Sequence, residues 1–219
     1  MNNELMEIIR TVKSYIELER ESGMEESISS KPAVAPSNAE KELEALKKNI
    51  MSCKRCSLSK TRTNVVFGAG SPEARLMFIG EAPGSEEDLQ GLPFVGRAGQ
   101  LLTKIIEAMG LKREDVYIAN ILKCRPPDNR PPSPEEIEAC RDMVRRQINI
   151  IKPRIICTLG KFASQTMLNT ETTISQLRGN FFEYKGIKVM PTFHPAYLLR
   201  NPDDKKLVWQ DMKKIRKLL

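Results

Sequence analysis

The sequence predicts an α/β fold: a single three-layer domain with a central, mainly parallel four-stranded sheet flanked by helices, plus an N-terminal helical extension. Two observations carry this. From residue 74 onward short apolar runs alternate with amphipathic stretches, the pattern of strands joined by crossover helices. Upstream, a stretch rich in Ser, Pro and Ala separates one further amphipathic segment from the rest. A chain of 219 residues has length for one ordinary core and an appendage.

Taken in order, Leu5, Ile8, Ile9, Val12, Tyr15 and Ile16 recur at helical spacing through residues 3–22, which gives an acidic extension over 1–26 that ends its helix near Gly23. Residues 27–38, SISSKPAVAPSN, show no periodic apolar face and are expected to be a flexible linker. The working domain is expected over 39–219. It opens with a helix at 39–51, with Leu43, Leu46 and Ile50 on one side. Strands then follow at 75–80, 116–122, 154–159 and 187–192, alternating with helices at 98–109, 134–151, 161–168 and 203–218. The helix at 134–151 has the clearest start, with Ser133 as N-cap, Pro134 in the first position and Glu136 in the third.

Charge is unevenly placed. Residues 1–45 hold five Lys/Arg against ten Asp/Glu, whereas the remainder holds thirty against eighteen, so a −5 segment precedes a +12 domain. A basic domain of this size suits a polyanion such as nucleic acid, although solvated lysines give the same balance. No apolar run approaches the roughly 18 residues that span a bilayer. The N-terminus lacks a signal-peptide pattern, so a cytoplasmic, reducing setting is expected, with no membrane partner.

Cys53, Cys56, Cys124 and Cys140 are separated by two, sixty-seven and fifteen residues, a local pair with two distant partners. Four thiolates complete either a tetrahedral zinc site or an iron–sulfur cluster. A disulfide pair and unconnected core thiols are the competing readings. Cys157 lies in an apolar, strand-like run and is expected to pack in the core. In open α/β sheets the reactive site lies beyond the carboxyl ends of the strands. Here those ends run into Gly80-Glu81-Ala82-Pro83-Gly84, Asn120 to Pro127, Gly160-Lys161 and His194-Pro195, which should converge.

At these strand ends the sequence resembles family 4 of the uracil-DNA glycosylase superfamily. The matching pieces are CKRC, FIGEAPG, GLPFVGRAGQLL, IANILKCRPPDNRPP and HPAYLLRNP, in the family's order across about residues 50 to 215. The resemblance implies that Cys53, Cys56, Cys124 and Cys140 hold a structural 4Fe-4S cluster and that the partner is uracil-containing DNA. It implies hydrolysis of the glycosidic bond of a flipped-out deoxyuridine, which begins base-excision repair.

The residue types suit those roles. Phe94 offers a stacking face for uracil, and the Asn120 amide complements the N3–H and O4 of the base. His194, the only histidine, is placed to stabilise charge developing at O2. Glu81 is the candidate for orienting water or stabilising the sugar cation. Backbone N–H groups from Gly80 through Ala82 to Gly84 suit the base edge or a phosphate. Glu87 matches a position that guards the place of thymine's methyl group. Leu198, Leu199 and Arg200 resemble the loop that enters the minor groove. A non-enzymatic nucleic-acid-binding module and a redox protein are the rival classes. The N-terminal helix is expected to be dispensable for catalysis or to pack on a protein partner or a second copy of itself.

Overall fold

The computed structural model describes residues 36–219 and, upstream, Glu7, Arg10, Thr11, Lys13 and Ser14, which are helical. The rest of the expected extension and most of the expected linker lie outside the described residues. The chain divides into two units, Met1–Pro36 and Ser37–Leu219. Within the second, α1 (Asn38–Met51) starts one residue early because the Ser37 side chain caps it, accepting the N–H of Glu40.

Six strands form one sheet in the order β1-β3-β2-β4-β6-β5. The central four, β2 (Leu76–Gly80), β3 (Tyr117–Asn120), β4 (Ile155–Leu159) and β6 (Ile187–Thr192), are parallel neighbours in the order β3-β2-β4-β6. The expected four-stranded sheet is thus extended at each edge by a short antiparallel strand, β1 (Ala69–Gly70) and β5 (Phe182–Tyr184). Segments of two and three residues are too short to show a periodic pattern.

Alternate strand residues face opposite layers. Met77, Ile79, Ala119 and Ile156 pack with α1, α4 (Pro134–Ile151) and α5 (Lys161–Leu168). Leu76, Phe78, Ile118 and Cys157 pack with α3 (Arg97–Ala108), α7 (Pro195–Arg200) and α8 (Lys205–Arg216). Cys157 is fully buried in that second layer, as its apolar run predicts. Three short helices, α2 (Ser85–Gln90), α6 (Ile174–Leu177) and α7, occupy stretches with no helical period of their own. Among the described residues no helix is long and apolar enough to cross a membrane.

One buried polar cluster fixes the end of β6 beneath the site. Asp211 on α8 is fully buried; it accepts the Thr192 hydroxyl at 2.7 Å and the Arg178 guanidinium, which also donates to the Leu207 carbonyl at 2.9 Å. Burial raises the Asp211 pKa, and its hydrogen bonds to Thr192 and Arg178 oppose that rise. Asp211→Ala leaves the Thr192 hydroxyl without its acceptor and the Arg178 guanidinium without its counter-charge, so it is expected to cost about 3 kcal/mol or more of unfolding free energy. The change would appear as an earlier midpoint in urea; an unshifted midpoint would contradict this role.

Candidate active site

The segments at the carboxyl ends of β2, β3 and β6 meet one cavity of about 500 Å³, whereas Gly160-Lys161 after β4, also expected to converge there, is not part of its lining. The cavity is built from the pairing of Gly80 with Asn120 on the neighbouring strands β2 and β3. A Cβ on Gly80 would stand 2.4 Å from Asn120 Oδ1 and 2.6 Å from Phe94 Cζ, so only glycine lets the amide and the ring converge there. Asn120 is 2% exposed, and its Oδ1 is buried without a hydrogen-bond partner. An orphaned acceptor of this kind is costly in a folded protein and marks a place kept for a ligand donor.

Phe94 faces this amide from a buried position, its ring centroid 5.6 Å from that of His194. Its φ is +52°, an uncommon conformation for a bulky side chain and one that clusters at functional sites. Gly99 in the first turn of α3 permits it, because a Cβ there would come within 2.0 Å of the Phe94 carbonyl.

His194 is the N-cap of α7, and its Nδ1 accepts the Ala196 N–H at 3.1 Å. That bond leaves the proton of a neutral ring on Nε2. Burial pushes the His194 pKa down to about 4, with Arg200 acting in the same direction and Glu87 opposing. The ring is therefore a neutral N–H donor at neutral pH. Glu81 is half-buried at the cavity wall, where burial raises its carboxyl pKa. Both oxygens of Glu87 are engaged: Oε1 accepts the N–H groups of Val95 and Gly96 at 2.9 and 3.0 Å, and Oε2 accepts that of Gly84 at 3.2 Å.

The structure thus brings Glu81, Ala82, Gly84, Glu87, Phe94, Asn120, His194 and Arg200 to one cavity. Two further expectations are corrected. Leu198 is fully buried among α3, α7 and α8, because α7 is a helix and turns that side chain into the core rather than toward DNA. The N–H of Gly84 already donates to Glu87, so it is not free for a base or phosphate. Leu199 is 45% exposed and Arg200 is exposed. The cavity also draws on Pro126, Asn129 and Arg130, to which the sequence analysis gave no role. Their signal is the turn Asp128-Asn129 between two Pro-Pro pairs, with both residues at positive φ, 53° and 54°.

The four separated thiols Cys53, Cys56, Cys124 and Cys140 converge on a second, smaller cavity, and none is in a disulfide. Arg62 donates to Cys124 Sγ at 3.2 Å and to the Cys53 carbonyl at 2.8 Å. Lys123 is buried beside them, its Nζ donating to the Asn120 carbonyl at 2.8 Å and to Gln147 Oε1 at 2.6 Å. Burial lowers the Lys123 pKa to about 8, against an upward pull from Cys140 and Cys124. Among the described residues no three His, Cys, Asp or Glu side chains are placed to hold a single metal ion.

Beyond the ends of a parallel sheet, an aromatic face, an unpaired amide and a neutral imidazole therefore line one cavity. The model of the Uracil DNA glycosylase superfamily matches residues 67–213, and the chain belongs to that superfamily, among its type-4 members. It is 48% identical over 184 residues to a Type-4 uracil-DNA glycosylase of Archaeoglobus fulgidus, covering 80% of this chain and 92% of that protein. A Type-4 uracil-DNA glycosylase of Sulfurisphaera tokodaii is 48% identical over 80% of this chain and 84% of its own. The Type-4 enzyme of Thermotoga maritima is 45% identical over 81% and 94%.

Because the chain holds one histidine, its imidazole signals in an NMR titration need no assignment. The expected midpoint is near pH 4, with the Nε2–H tautomer above it. Since the folded pKa lies below the ordinary 6.5, stability linked to the neutral ring is present above about pH 6.5 and is lost as pH falls through 4. A midpoint near 6.5 would show that the fold does not hold the ring neutral.

Proposed function

We propose that this chain is a monofunctional uracil-DNA glycosylase, a hydrolase that releases uracil from DNA and leaves an abasic site for base-excision repair. The observation that carries this reading is the buried, unpartnered Oδ1 of Asn120 beside Phe94 and His194. The deoxyuridine rotates out of the stack into the cavity and its ring lies on Phe94. Asn120 Oδ1 accepts from N3–H and the amide nitrogen donates to O4, a polarity that cytosine reverses.

As the glycosidic bond breaks, its electrons move onto the base and negative charge develops at O2, while the sugar becomes oxocarbenium-like. His194 donates through Nε2–H to O2, an interaction stronger in the transition state than in the ground state. A neutral donor suits this step because it stabilises the leaving anion without needing to gain a proton first. Glu81 orients the attacking water or balances the sugar cation, Ala82 and Gly80 shape the floor, and Glu87, held by three backbone N–H groups, forms a fixed wall against a methyl group. Arg200 takes a phosphate, and Leu199 enters the space that the base vacates.

Cys53, Cys56, Cys124 and Cys140 are the proposed ligands of a 4Fe-4S cluster. What supports the fit is the donor set itself, four thiols around one cavity with Arg62 and Lys123 beside them to balance an anionic group. Bound there, the cluster supplies cross-linking of distant segments rather than chemistry. The catalytic unit is proposed to be residues 39–219, acting in the cytoplasm.

Asn120→Asp is expected to lower single-turnover excision from a uracil oligonucleotide on the order of 10²-fold or more, read by alkali cleavage and a gel. An unchanged rate would remove Asn120 from base recognition. Protein purified without oxygen should contain iron and sulfide at about four each per chain; stoichiometric zinc without iron would sink the cluster assignment.

A further inference from the structure

Phe94, at positive φ, is held on both sides of its own backbone, by Arg113 from outside the cavity and by Glu87 from its wall. On its N-terminal side, the carbonyl of buried Pro93 accepts Nη2 of Arg113. The same guanidinium donates through Nη1 to Thr103 Oγ1 on α3 at 3.1 Å. On the other side, the N–H groups of Val95 and Gly96 are held by Glu87. The residue is therefore gripped from before by a cation and from behind by an anion. The two feel each other's charge, because Glu87 opposes the fall that burial imposes on the Arg113 pKa.

We infer that Arg113 is a positioning residue for base excision, clamping residues 93–96 together with Glu87 so that the Phe94 ring stays against Gly80 and Asn120. The inference rests on the reading of Phe94 as the stacking face for uracil. Arg113 does not line the cavity and touches no reacting atom. Its two bonds diverge to a carbonyl on one element and a hydroxyl on another, which a planar fork satisfies and a lysine ammonium on one stem does not. Without them the Pro93 carbonyl loses its donor, Phe94 is free to relax to negative φ, and the ring leaves the amide.

The test is a double-mutant cycle of Arg113→Met and Phe94→Ala in the full chain. Three quantities are measured: single-turnover excision, inhibition by free uracil, and affinity for DNA carrying a tetrahydrofuran abasic analogue, which has no base to stack. Arg113→Met is expected to slow excision and weaken uracil inhibition by about tenfold each, with tetrahydrofuran-DNA affinity held within about twofold. In the Phe94→Ala background the same change should cost nothing further. Arg113→Lys should fall between wild type and Met, and it carries the same three measurements if the Met variant folds poorly. Equal losses in both backgrounds, or unaltered uracil inhibition in the single Arg113 variants, would overturn the role of Arg113 alone. If Phe94→Ala leaves uracil inhibition unchanged, the stacking role of Phe94 falls and the positioning role falls with it.

Discussion

The close approach at Gly80 is the constraint on which the site depends. Parallel pairing sets Gly80 of β2 beside Asn120 of β3, and the missing Cβ is the space that Asn120 Oδ1 and the Phe94 ring enter together. Phe78 and Ile118, two residues earlier, belong to the layer of α3, α7 and α8, so Gly80 and Asn120 face that layer too. A register slip of one residue in β3 would offer Ala119 or Ile121 instead and send the amide into the opposite core. Strands buried on both faces make such a slip prohibitive, so the apolar sheet places the polar group.

The chemistry that follows is set by what the site leaves unpaired. Asn120 holds back an acceptor at a cost the fold must offset elsewhere. His194 spends Nδ1 on the N-terminus of α7, which fixes the tautomer and leaves Nε2–H for the cavity. Glu87 spends both oxygens on backbone N–H groups and so acts as a rigid wall rather than a proton carrier. His194 and Glu87 are thus oriented by one set of bonds and effective through another atom or through bulk. Such preorganisation lets donors act on developing charge without reorganising at the moment of reaction.

Much of this was legible in the sequence where a long-range pattern existed. The helix over 134–151 was readable because Ser133, Pro134 and Glu136 form a complete start signal, and the structure reproduces those bounds. The four central strands were readable from apolar runs. The edge strands were not, since two or three residues carry no period. Leu198 was misread because a run of Leu-Leu-Arg after His-Pro does not reveal which leucine a one-turn helix buries. The orphaned acceptor of Asn120 and the grip of Arg113 on Pro93 were invisible for a different reason: each is a relation between segments, and neither residue type announces it.

The thiols and the cavity are joined through the same stretch of chain. Leaving β3, Asn120 is followed by Lys123, whose ammonium returns to the Asn120 carbonyl and to Gln147 on α4, and then by Cys124. Six residues further, Arg130 reaches the cavity while its guanidinium is held by Glu136 at 2.6 and 2.9 Å, one helical turn before Cys140. A second connection leaves from Arg62, which binds Cys124 and the Cys53 carbonyl; the next two residues donate their N–H groups to the buried carboxylate of Asp88, the neighbour of Glu87. Both routes end on residues that shape the cavity and neither passes through a group that moves a proton. The four thiols are therefore coupled to the cavity through geometry, at the ends of two chain segments that otherwise form the cavity's rim only through loops.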